Sequence, residues 1–166
     1  MNIYPYNRNS AVSYAVKWAF ARNPLFYNFD DLGGDCTNFA SQCILAGGAV
    51  MNFTPTFGWY YLSLNNRAPA WTGVEFLHNF LTSNQGIGPF GKEVPLQEVL
   101  PGDIIQLNTI GNRFHHSPVV ISTGIIPTLE NTLIAAHSND ALGRPLSTYN
   151  IIEMRCIHIE GVRRTK

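Results

Sequence analysis

Apolar positions change their rhythm near residue 100. Before that point they recur at helical spacing. Val12, Ala15, Val16, Ala19 and Phe20 fall on one face of a helix predicted over 8–21, with Asn7 as N-cap, Asn9 as the fallback, and Asn23-Pro24 as its stop. An aromatic loop, LFYNFDDLGG, leads to a second predicted helix. Asp35 is its N-cap, Gly47-Gly48 its stop, and Cys36, Phe39, Cys43 and Ala46 share its inward face. Residues 49–70 carry Pro, Asn and aromatics without a period and read as a long loop. A short third helix is predicted over 72–82, then a turn-rich connection, NQGIGPFGKEVP.

From residue 101 onward the apolar residues come in short runs rich in Ile and Val: PGDIIQLN, HSPVVISTG, TLIAAHS and NIIEMRCIHIEG. Gly, Asn or Pro clusters separate them, which predicts an antiparallel sheet of four or more strands. Helices first and sheet second is an α+β class, with the N-terminal helices packed on one face of the C-terminal sheet. The length, 166 residues, fits a single domain over 1–166.

Composition narrows the function. Eleven acidic and eleven basic side chains cancel, and the basic ones are scattered apart from Arg163, Arg164 and Lys166. Neither a nucleic-acid partner nor a membrane surface is expected from that balance. No segment approaches the roughly 20 apolar residues that cross a bilayer. The start, MNIYPYNRNSAV, lacks a basic region followed by an apolar one, so no signal peptide is expected. The chain as written then reads as cytoplasmic, or as extracellular if a leader once preceded it. Three cysteines, at 36, 43 and 156, do not make a disulfide framework. No Cys-x-x-Cys pair occurs, so no metal site is expected, and no cofactor is called for.

Cys36 carries the chemistry. It directly follows Gly33-Gly34-Asp35, where a helix is about to begin. The unpaired N–H groups of a helix start favour a thiolate and can hold an oxyanion. The thiol is therefore expected to ionise more readily than an ordinary cysteine, with the Asp35 carboxylate used up in capping the helix. Asp35 and Asn38 are close enough in sequence to shape the oxyanion site. Cys43 and Cys156 read as buried small hydrophobes. A cysteine nucleophile needs an imidazole within reach and a third polar group to orient it. His78 and His158 read as structural. His115 and His116 open one predicted strand and His137 ends the next, so antiparallel pairing can bring 116 and 137 to one sheet edge. Strand alternation puts only one of His115 and His116 on the helix side. Asn139 and Asp140 are alternatives to His137 in the orienting role. Tyr27, Trp59, Tyr60, Trp71 and Phe114 are candidates for groove walls.

These blocks resemble a known family. YNRNSAVSYAVKWAFARNPLFYNF, GGDCTNFASQCILAGG, PAWTGVEFLHNFL, PGDIIQLN, HSPVV and AHSNDALGRPL follow, in order, the pattern of the putative amidase domain family, grouped with papain-like cysteine hydrolases of the NlpC and CHAP types. The resemblance implies a compact papain-like fold with Cys36 as nucleophile, His116 as base and His137 as the orienting residue. Gly102-Asp103 is then mainly structural. His115 beside His116, and Pro118 inside the strand, depart from the pattern. The implied reaction is amide hydrolysis through a thioester, by analogy on a peptide or amide of bacterial cell wall. Two rival expectations stand beside it. One is an inactive papain-like scaffold that binds a peptide. The other is a zinc hydrolase built on His115, His116 and His137.

Overall fold

A computed structural model describes residues 1–166. The order is β1 (Asn2–Tyr4), α1 (Arg8–Trp18), α2 (Cys36–Ala46), β2 (Tyr61–Ser63), β3 (Asn66–Arg67), α3 (Pro69–Thr72), α4 (Val74–Ser83), β4 (Gly88–Val94), β5 (Ile104–Asn108), β6 (Val119–Ser122), β7 (Leu133–Ala136), β8 (Ala141–Pro145) and β9 (Glu153–Arg164). This is an α+β fold with one seven-stranded antiparallel sheet and few helices. No helix is long and apolar enough to cross a membrane.

The sheet is built around β9. Its residues 153–157 pair with β5 and 162–164 with β1 along one edge, and β4 pairs along the other. From β5 the sheet continues through β6 and β7 to β8. Period-2 alternation divides the apolar side chains between two cores. Ile104, Val119, Ala135, Ile157 and Ile159 face the helices, among Phe39, Trp59, Trp71 and Leu77. Ile105, Leu107, Val120, Ile134 and Cys156 face the opposite side, with Leu146 and Val99.

Helix α1 begins as expected: the Asn7 side chain accepts from the Ser10 N–H at 3.0 Å, at the cap position. It ends at Trp18 rather than Ala21, where a turn closes between the Ala21 N–H and the Trp18 carbonyl. Helix α2 ends on the Gly47 N–H, which donates to the carbonyls of Cys43 and Ile44. Its burial is not one-sided. Every residue from Cys36 to Ile44 is buried, because α1, α3 and the sheet enclose it, while Ala46 is only half-buried.

Other expectations are revised. The 49–70 segment holds the β2–β3 hairpin and an Asn52–Trp59 bridge. The third helix is two helices, broken at Gly73. The connection rich in Gly and Pro is the strand β4, stabilised by seven register partners on β9 despite its poor strand propensity. The strand expected to open at His115-His116 begins at Val119. Upstream of it, His116 makes only an isolated bridge to Leu107.

Candidate active site

Cys36 is the first residue of α2 and is 8% exposed. Gly33 and Gly34, both at positive φ (84° and 96°), turn the chain into the helix as L side chains rarely can. The N–H groups of the first turn have no intrahelical partner. The sulfur sits against the segment that leads into β6. It lies 3.6 Å from the His115 carbonyl and 3.7 Å from Thr37 Oγ1, with the backbone N–H groups of Ser117 and Thr37 facing it. Thr37 Oγ1 and Ser117 Oγ are 3.1 Å apart, which locks the helix start to that segment.

No ring nitrogen hydrogen-bonds the sulfur. Alternation is the reason: Ser117 faces α2, so His116, one residue earlier, turns the other way. The His116 ring is buried, and its Nε2 lies 3.5 Å from the Tyr149 hydroxyl. The His115 ring is committed elsewhere, its Nε2 lying 2.8 Å from Thr109 Oγ1 and accepting from the Thr109 N–H. Burial, then His115 and Arg144, lower the His116 pKa to about 4, so the ring is neutral at pH 7.

The expected activation of the thiol is reversed. Burial pushes the Cys36 pKa up, and the Asp35 charge adds to that push, outweighing the Thr37 hydroxyl and the two N–H groups. Asp35 does not cap the helix with its side chain. Its Oδ1 accepts from the Phe29 N–H and from Asn38 Nδ2, both at 2.9 Å. Its Oδ2 lies 2.5 Å from His137 Nδ1 and 3.6 Å from Arg22 Nε. A carboxylate buried to 1% exposure needs these partners more than the helix does.

His137 is likewise committed. Its Nε2–H donates to the Trp18 carbonyl at 2.7 Å, and its ring lies 4.0 Å from that of Phe39. Both ring nitrogens are engaged, so His137 holds Asp35 and does not orient His116. The alternatives are also placed. Asp140 pairs with Arg22 at 2.9 Å, and Asn139 sits at φ 61° in the turn before β8. The three rings of His115, His116 and His137 do not converge, and no three metal-binding side chains come together.

Asn38 cannot serve an oxyanion. Its amide donates to Asp35 and to the Tyr27 carbonyl, and its oxygen accepts from Trp71 Nε1 at 2.9 Å. Trp59 and Trp71 are fully buried core, not groove wall, because each indole N–H finds an internal acceptor. Tyr60 packs on Phe53, Phe114 lies under the Arg155 guanidinium, and Tyr27 is exposed against Phe29.

The cavity beside His116 has a different lining. About 240 Å³ in volume, it is bounded by His115, His116, Ser138, Asn139, Arg144 and Tyr149, with Thr109 at its edge. Ser138 adjoins the thiol loop, because its Oγ accepts from the Asp35 N–H at 3.1 Å. Arg144 and Tyr149 escaped the sequence reading. The signal available for Arg144 was the LGRPL string, where a glycine precedes a lone cation.

The family model described as "Putative amidase domain" matches residues 5–159. A relative from Bacillus subtilis (strain 168), described as "Uncharacterized protein YhbB", is 33% identical over 121 residues, which is 72% of this chain and 38% of that protein. The chain thus spans well under half the length of that relative. No solved structure matches. The family match runs through Cys36, His116, His137 and Arg144, and the chain belongs to the putative amidase domain family.

Proposed function

We propose that this domain is a cysteine amidase of papain-like descent, hydrolysing an amide bond through a thioester on Cys36. The observation that carries the reading is a cysteine at the first position of α2, with free helix-start N–H groups around it and a neutral histidine on the adjoining segment. The thiol and the imidazole both rest neutral and are not bonded to one another. As substrate binds, the His116 ring turns toward the sulfur and takes its proton, and the sulfur attacks the amide carbonyl. The oxyanion is held by the helix-start N–H groups, including that of Cys36 itself. His116 then protonates the leaving amine, and water cleaves the thioester to return the acid and the thiol. His137 and Arg22 act as positioning residues: they hold Asp35, and with it the helix start. By fold analogy, the substrate is a peptide or amide of bacterial cell wall.

A second reading has its own support. With no ring nitrogen bonded to the sulfur and the thiol pKa raised, the domain fits an inactive scaffold that binds a peptide. One experiment separates the two. Amide hydrolysis is followed by mass spectrometry over a panel of cell-wall peptides, and thermal unfolding is recorded in parallel. The amidase reading expects Cys36→Ala and His116→Ala to fold and to lose hydrolysis, by a factor of at least about 10³ for the nucleophile. Activity that survives Cys36→Ala sinks it. So does an unchanged panel with the parent protein, which leaves the binding scaffold.

A further inference from the structure

The cavity beside His116 holds one standing charge. Arg144 supplies it, and no Asp or Glu lines the cavity. Arg8, Arg22 and Arg155 each pair with a carboxylate, whereas Arg144 has none. The acids that adjoin the lining residues Ser138 and Asn139 are already taken, Asp35 by His137 and Asp140 by Arg22.

Arg144 is nonetheless held in place. Its Nε donates to Thr148 Oγ1 at 2.7 Å and its Nη2 to the Thr148 carbonyl at 3.1 Å. Its guanidinium carbon lies 3.6 Å from the centre of the Tyr149 ring. That leaves Nη1 without a protein partner. A bulge aims the side chain: Ile134 faces Arg144 and Ala135 faces Leu142, so Gly143, at φ 72°, is the extra residue. Bulges re-aim side chains beside active sites. A cation fixed by three contacts, with one nitrogen left free, is prepared for an anion at small entropic cost. The Tyr149 hydroxyl and the polar side chains of Ser138 and Asn139 offer further donors in the same cavity.

We propose that this cavity is an anion pocket in which Arg144 binds a carboxylate of the substrate, so that the domain acts on amides bearing a free carboxylate near the scissile bond. The substrate part of this proposal rests on the amidase reading. The pocket itself does not.

The test uses two isosteric probes, N-acetylalanine and N-acetylalaninamide, titrated into the Cys36→Ala protein. Amide resonances of Ser138 and Asn139 report binding, and the Arg144 Nε–H resonance reports it without any further variant. The carboxylate is expected to bind about tenfold tighter than the carboxamide, the worth of one charge-assisted hydrogen bond. Arg144→Gln should erase the difference. Equal binding of the two probes, no saturable binding of the acid, or a preference unchanged in folded Arg144→Gln overturns the proposal. Should Arg144→Gln not fold, a stationary Arg144 Nε–H resonance during titration overturns it instead. Loss of the amidase reading would show separately, as absent hydrolysis in the parent protein with the probe preference intact.

Discussion

His116 is the residue where burial matters most. Its ordinary pKa, 6.5, applies in the unfolded chain, and about 4 applies in the fold. The folded state therefore binds fewer protons between those values. The stability it contributes is complete above pH 6.5 and is lost as pH falls toward 4. The difference is worth about 3 kcal/mol. Urea titrations at pH 7.5 and pH 4 should show that loss, and His116→Asn should remove most of it; an equal loss in the variant would contradict the burial argument. Cys36 responds in the opposite sense to an exposed helix-start cysteine. Because its pKa is raised, iodoacetamide should modify it with a midpoint above that of the denatured chain's cysteines. The element-level field of α2 is real, but one buried sulfur beside a carboxylate loses more from desolvation than it gains from the helix.

At the scale of elements, the site is a junction between a helix start and a turn of the sheet. Gly34 lies at φ 96°, and a Cβ there would meet Ser138 Oγ at 3.2 Å. Gly34→Ala should cost about 1–2 kcal/mol from backbone conformation alone. Adding Ser138→Ala relieves the contact but leaves the dihedral and strips the buried Asp35 N–H of its acceptor, so the double variant should recover none of the loss in chemical denaturation. Arg22 reinforces the junction, reaching Asp30 and Asp140 at 3.0 and 2.9 Å from two loops distant in sequence. Some of these elements were legible. The cap of α1 lies in Asn7, the stop of α2 in Gly47, and β5, β6, β7 and β9 in their runs of Ile and Val. Others were not. The strand β4 carries Gly88, Pro89 and Gly91, a composition that masks a strand until β9 supplies its partner. The β1 strand has three residues, too few for a period.

For the whole molecule, the link between helices and sheet runs through Asp103. Arg8 donates to its Oδ1 at 2.7 Å and to the Ile159 carbonyl at 2.6 Å, and His158 Nδ1 lies 2.8 Å from Oδ2. One side chain on α1 thus clamps β5 to β9. Asp103 is fully buried, so Arg8→Met should destabilise the domain by about 3 kcal/mol by leaving a buried carboxylate underpaired. A loss below about 1 kcal/mol in urea would show that the remaining donors suffice. The sequence by itself determined the α+β order, the helix that opens at Cys36 and the strands that follow it, because caps, glycines and apolar periods act over a few residues. The tertiary structure alone decided which groups meet the thiol. That choice depends on strand register, where a shift of one residue reverses every side chain, and on the Asp35–His137 contact, which spans 102 residues of chain.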